Sequence, residues 1–175
     1  QDDSVGLAVF DKKINNFIPP RASFEQFSTV VNVLENLKPG LETEIHQSIN
    51  EFSRYLKRRG LIIFISDLFD DPEKVMLSIK QLRFKHHDIV VFHILDPYEL
   101  DLNYNGPVIF ESIENVGEKI YTEVQDIKKY YDSLISNFIQ EYKIGFQNSG
   151  IDYSLITTDT PIELGLGAFL AGRRK

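Results

Sequence analysis

The chain of 175 residues contains no cysteine, which excludes a disulfide scaffold, thiolate catalysis and cysteine-ligated zinc. Positive charge is also short: 19 Lys and Arg stand against 26 Asp and Glu, a formal net charge of -7. Affinity for nucleic acid rests on clustered Lys and Arg, so no nucleic-acid partner is expected. Long hydrophobic runs are missing as well. Stretches such as Leu61–Ile65 fall far below the roughly 18 residues of a membrane span, and no targeting signal is visible behind Gln1. The expectation is therefore a cytoplasmic segment without membrane contact. The G-x-S-x-G nucleophile elbow, the Walker loop and the G-x-G-x-x-G loop do not occur, which removes the common hydrolase, ATPase and dinucleotide fingerprints. What is present is the composition of an ordinary folded domain, 42% hydrophobic and 26% charged, and one domain over residues 1–175 is expected.

Apolar runs alternate with amphipathic segments. Val5–Phe10, Leu61–Ile65 and Asp88–Leu95 read as strands covered on both faces, and Ile151–Thr157 as a last strand. Asp11-Lys12-Lys13 turns the first strand into Ile14–Ile18, which Pro19-Pro20 is expected to stop. Ser23 and Gln26 form a capping-box pattern ahead of a helix with an apolar stripe of Phe27, Val30, Val31, Leu34 and Leu37. A second helix begins near Thr43 and carries Ile45, Ile49, Phe52 and Leu56 on one face. Asp71-Pro72 starts a third, with Val75, Ile79 and Leu82 as its buried stripe. Val108–Ile113 and Lys119–Thr122 flank Asn115-Val116-Gly117-Glu118 as a β-hairpin. A long helix follows, capped by Thr122 with Gln125, with Ile127, Tyr131, Leu134 and Phe138 inward, and Ile162–Leu170 forms a terminal helix. Such alternation predicts an α/β fold with a mainly parallel sheet. Val5–Phe10 should be one of four parallel strands, with Ile14–Ile18 antiparallel at an edge.

Three strands end in a carboxylate: Asp67, Asp96 and Asp159. Ligands of open parallel sheets collect at that end, and carboxylates there suit Mg²⁺, Mn²⁺ or Ca²⁺. Each Asp has a plainer role as a turn residue or helix cap, and Asp71 ahead of Pro72 is a cap. Of the four histidines, His93 lies inside an apolar strand and reads as a hydrogen-bonded core residue, while His86-His87 sits in a polar connection and His46 lies off the apolar face of its helix. Tyr130, Tyr131 and Tyr142 on the long helix read as packing residues.

Asp3–Asp11, Arg59–Asp71 (RGLIIFISDLFDD), His87–Asp101 (HDIVVFHILDPYELD) and Gly150–Pro161 together resemble the bacterial family called domain of unknown function 58, a branch of the von Willebrand factor A-like fold. The resemblance implies a three-layer, Rossmann-like α/β domain. It also implies a metal-ion-dependent adhesion site, built from an Asp-x-Ser-x-Ser loop, a Thr in a second loop and an Asp in a third. Asp67 matches the third-loop Asp and Thr43 the second-loop Thr, although Thr43 serves equally well as a helix N-cap. The first loop and the central strand before it do not occur in this sequence, and an upstream segment carrying both is expected. No tight divalent ion is expected in this chain alone, because Mg²⁺ takes about six oxygens and Ca²⁺ about six to eight. In the longer protein the resemblance implies weak Mg²⁺ binding through Asp67.

Two functions compete. The first is a non-enzymatic protein–protein interaction module, metal-assisted, whose implied partner is an AAA+ ATPase of the MoxR type acting in the assembly of other complexes. The second is a metal-dependent hydrolase or nuclease using acids at the strand ends. The second needs converging acids, a general base and, for a nuclease, a basic track that the net charge contradicts. A domain with a degenerate site and a purely structural role is a third.

Overall fold

The computed structural model describes residues 3–38, 44–104, 106–111 and 119–173. The chain forms two compact units, Gln1–Arg58 and Arg59–Lys175.

In the first unit, β1 (Val5–Phe10) and β2 (Ile14–Arg21) form an antiparallel hairpin, followed by α1 (Phe24–Glu35) and α2 (Ile45–Tyr55). The antiparallel pairing of the two strands is as expected from their short connection, but β1 has β2 as its sheet partner and does not join the parallel strands. Pro19 and Pro20 lie inside β2 rather than ending it. A strand with one partner has an outer edge where a missing N–H breaks no ladder bond, which is where proline is tolerated. Ser23 caps α1, its side chain accepting from the Gln26 N–H at 3.3 Å. The Gln26 side chain does not close the capping box. It is buried and donates instead to the Val5 and Pro19 carbonyls, at 2.8 and 2.9 Å. The expected apolar stripe of α1 does not form the core, since Phe27, Leu34 and Leu37 are exposed. The residue that ties this helix to the hairpin is polar, and a hydrophobic count does not find it. On α2, Ile45 and Ile49 are buried as expected, Ser48 Oγ donates to the Asp11 carbonyl, and Glu51 accepts from the Ile14 N–H.

Gly6 sits at the irregularity between Val5 and Leu7, where the chains approach closely. A Cβ there would lie 2.7 Å from the Ile18 carbonyl oxygen and 3.0 Å from the Pro20 nitrogen, both backbone atoms that cannot swing aside. Gly6→Ala is expected to destabilise this unit by about 1–3 kcal/mol through overpacking. Amide hydrogen exchange at Ala8 should quicken accordingly, and unchanged protection there would refute the prediction.

In the second unit, β3 (Leu61–Ser66), β4 (Asp88–Leu95) and β7 (Asp152–Thr157) form a parallel sheet in the order β3-β4-β7. Strands β5 (Pro107–Glu111) and β6 (Lys119–Glu123) form the expected antiparallel hairpin; its turn at 115–118 lies outside the described residues. The helices are α3 (Pro72–Phe84), α4 (Pro97–Leu100), α5 (Val124–Gln147) and α6 (Ile162–Arg173). Paired residues of parallel strands share a face, so Phe64, Val91 and Tyr153 lie on one side and Ile65, Phe92 and Ser154 on the other. His93, on the first side, meets Phe138 and Tyr142 of α5, whereas Phe92 on the second packs edge-on against Phe169 of α6. Helix α3 lies with α5, where Gly145 leaves room for Met76. Its expected stripe, Val75, Ile79 and Leu82, is fully buried.

Three expectations for this unit are corrected. Strand β3 is covered on one face only: Ile62 and Phe64 are buried, while Leu61, Ile63 and Ile65 are 51–67% exposed. A continuous apolar run does not by itself say that both faces are covered. In α5, Leu134 points outward and Ile135 inward, alongside Val124, Tyr142 and Phe146. Thr122 belongs to β6 rather than capping α5, whose N-cap is Glu123.

Candidate functional site

Because β3, β4 and β7 are parallel, their carboxylate-bearing ends gather at one end of the sheet. At the end of β3 the segment from Ser66 to Asp71 turns sharply. Asp67 Oδ1 accepts the Phe69 N–H at 3.3 Å, Ser66 Oγ accepts the Leu68 N–H at 3.1 Å, and Asp70 N–H donates to the Leu68 carbonyl at 2.8 Å. Leu68 adopts the left-handed region with φ of 57°. For a bulky residue that conformation is costly and persists only when its surroundings impose it.

Those surroundings are aromatic. The Leu68 side chain is buried, and its carbonyl accepts the Tyr142 hydroxyl proton at 3.0 Å. His93 is completely buried and uses both ring nitrogens, Nε2 to the Asp67 carbonyl and Nδ1 to the Tyr153 hydroxyl, each at 2.7 Å. A carbonyl only accepts, so Nε2 carries the proton; Nδ1 is then the acceptor and Tyr153 the donor. Burial holds the His93 pKa below its ordinary value, opposed by the hydrogen bond to Asp67. Burial likewise pushes the Tyr142 and Tyr153 hydroxyls up, so both remain protonated donors. The outcome is an exposed Asp67 carboxylate on a backbone pinned from below by two buried donors on β4 and α5.

The other acids have structural partners. Asp71 caps α3, accepting from the Glu73 and Lys74 N–H groups, and these bonds with the Lys74 ammonium hold its carboxyl below the usual range. Asp96 caps α4 in a full capping box with Glu99, and its Oδ2 accepts the Thr158 hydroxyl at 2.8 Å, joining the ends of β4 and β7. Asp159 Oδ1 accepts from Thr157 Oγ1 at 2.5 Å, and that hydroxyl also meets Thr160 Oγ1. Asp67, Asp96 and Asp159 thus share one end of the sheet without converging: among the described residues no group of three or more His, Asp or Glu is placed to hold a metal. Thr43 lies outside the described residues.

Sequence reasoning identified His93 as a hydrogen-bonded core residue but missed what it holds. It also missed Tyr142 and Tyr153 as partners of the Asp67 loop and the short helix α4, although Asp96-Pro97 followed by Glu99 is a legible capping signal. His87, read as part of a polar connection, is buried.

Fold and strand-end loops define a mixed α/β protein with a parallel three-stranded sheet, antiparallel strand pairs and a polar surface at the C-terminal strand ends. The chain belongs to the family described as Protein of unknown function DUF58, whose model matches residues 1–137. Among solved structures it is similar to the conserved hypothetical protein BatB from Bacteroides thetaiotaomicron, with 17% identity and a TM-score of 0.58 over 99% of this chain and 80% of that one. It is also similar to an aerotolerance-related membrane protein from Bacteroides fragilis carrying multiple mutations to serine, with 18% identity and a TM-score of 0.55 over 99% of this chain and 79% of that one. At these identities the likeness is one of fold. None of the curated proteins matches the chain. Among the described residues no helix is long and apolar enough to cross a membrane.

Proposed function

We propose that this chain is a cytoplasmic recognition module of von Willebrand factor A-like type, not an enzyme, that binds another protein through the Asp67 loop. The proposed partner is a MoxR-type AAA+ ATPase acting in the assembly of other complexes. The observation that carries this reading is the Asp67 loop itself: an exposed carboxylate on a backbone locked by His93 and Tyr142. Rigid presentation of a charged group reduces the ordering cost of binding. The same geometry disfavours hydrolysis, because the histidine beside Asp67 is buried with both nitrogens engaged and is not free to act as a general base.

Among the described residues no group of three or more His, Asp or Glu is placed to hold an ion, against the roughly six oxygens Mg²⁺ takes, so they do not by themselves fit a metal centre. The recognition proposed for this chain is accordingly carried by Asp67 without an ion, and weak Mg²⁺ binding belongs to the proposal only for a longer protein. Biolayer interferometry against the MoxR-type ATPase of the source organism tests the reading. Binding is expected, and Asp67→Ala should weaken it at least about tenfold while its spectrum shows the fold kept, the loss of one interfacial charge pair being a change of that order. No binding, or equal binding by the variant, would refute it.

A further inference from the structure

A second feature of the second unit shares no residue with the Asp67 loop. An open pocket of about 390 Å³ is walled by Tyr98, Tyr104, Phe110 and Tyr131, with Glu99 as the charged residue of its lining. Tyr98 and Tyr104 stack at 5.2 Å between ring centroids, and Phe110 meets Tyr104 edge-on at 6.3 Å. Tyr131 is fixed by its hydroxyl, which donates to the Glu99 carbonyl at 2.8 Å. Oε2 of the Glu99 carboxylate accepts the Asp96 N–H at 2.6 Å. The nearby Lys128 is already paired with Asp101, so its charge is offset locally.

Aromatic faces around a carboxylate attract a cation, since the ring faces are negative and the carboxylate adds a full charge. Openness decides what kind. Small-ligand sites enclose most of their ligand, whereas Tyr98 and Tyr104 here are 55% and 40% exposed. That suits a side chain delivered by a larger molecule that covers the rim itself. A planar guanidinium stacks on tyrosine and pairs with a carboxylate in the same plane, which an ammonium does not.

We infer that this pocket is an anchor point for an arginine side chain of a partner protein. The inference rests on the interaction-module reading and adds a second contact surface to it, with its own chemistry.

The test is an NMR titration of the whole chain with the capped peptide acetyl-Gly-Arg-Gly-amide, alongside the same peptide carrying citrulline or lysine. Citrulline keeps the shape of arginine without its charge. The arginine peptide should shift the signals of Tyr98, Glu99, Tyr104, Phe110 and Tyr131, with a dissociation constant on the order of millimolar. The citrulline and lysine peptides should bind at least about fivefold more weakly, as charge and planarity both contribute. Tyr98→Ala and Glu99→Gln should each weaken the arginine peptide by about the same factor. The amide oxygen that Glu99→Gln introduces still accepts the Asp96 N–H, and Tyr98 is exposed, so both variants should keep the fold, checked by their spectra. Equal binding of citrulline or lysine, stronger binding of a tetraproline peptide at the same residues, or shifts scattered over other surface acids would overturn the inference. So would the absence of any shift. Because Asp67 is not in the pocket, these outcomes are independent of the Asp67→Ala result, and either proposal can fail while the other stands.

Discussion

His93→Ala is expected to destabilise the second unit by about 3–5 kcal/mol. Two losses combine. A fully buried ring is removed from between the sheet and α5, where it packs against Phe138, Tyr142 and Tyr153. The Tyr153 hydroxyl and the Asp67 carbonyl also lose their partner, and each polar group left unsatisfied costs about 1–3 kcal/mol. Urea denaturation followed by tyrosine fluorescence measures the loss; a shift below about 1 kcal/mol would contradict the pinned-loop geometry. A pH dependence accompanies it. Burial places the folded-state pKa of His93 below the ordinary 6.5, so below pH 6.5 the unfolded chain takes up a proton that the folded chain refuses. Stability from this group is therefore complete above about pH 7.5 and falls as pH drops through 6.5 toward the folded value. The chain holds four histidines, so the informative quantity is the difference between wild type and His93→Gln at pH 8 and pH 5. Wild type should lose more stability than His93→Gln on going to pH 5, and parallel curves would contradict the assignment.

Tyr142 carries the second large effect. Tyr142→Ala should cost about 3–5 kcal/mol, because the ring is fully buried between Phe138, Phe146 and His93. Tyr142→Phe keeps that packing and removes one hydrogen bond, to the carbonyl of Leu68. About 0.5–1.5 kcal/mol is expected for that one bond, since the carbonyl still accepts the Asp70 N–H. The Phe variant is also specific to the loop. Leu68 is held at φ 57°, and with the hydroxyl gone its carbonyl loses its hydrogen bond from α5, leaving the stacking of Phe69 on Phe138 as a packing restraint. Exchange of the Asp70 amide, bonded to that same carbonyl, should then quicken relative to amides in β4. Equal exchange in both proteins would mean that the backbone of the loop holds its own shape.

Much of the second unit was legible from local pattern. Asp71-Pro72 marks the start of α3 because a capping carboxylate and a residue with no N–H both suit a helix N-terminus. The boundaries of β4 follow from the run Asp88–Leu95. The Asp67 position at a strand end was legible too, since an acid directly after an apolar run is a local signal. What holds Asp67 was not: His93 lies 26 residues along the chain and Tyr142 lies 74 from Leu68, and no periodicity encodes which buried donor meets which carbonyl. Asp96 and Asp159 looked like site acids and proved to be a helix cap and a partner of Thr157, roles that depend on Glu99, Thr158 and Thr157 arriving at hydrogen-bond distance.

The amino-acid order alone determined where most strands and helices start, because caps, prolines and apolar runs act within a few residues. Tertiary structure decided which strands pair and which apolar faces are covered. Val5–Phe10 reads as one of four parallel strands and has β2 as its sheet partner; Leu61–Ile65 reads as buried on both faces and is covered on one; Phe27 and Leu34 read as core and lie exposed. The reason is physical. The hydrophobic effect rewards loss of contact with water but carries no direction, so an apolar residue does not specify its neighbour. Hydrogen bonds such as those of Gln26 and His93 are directional, and they select one arrangement only once the backbone has brought their partners within reach.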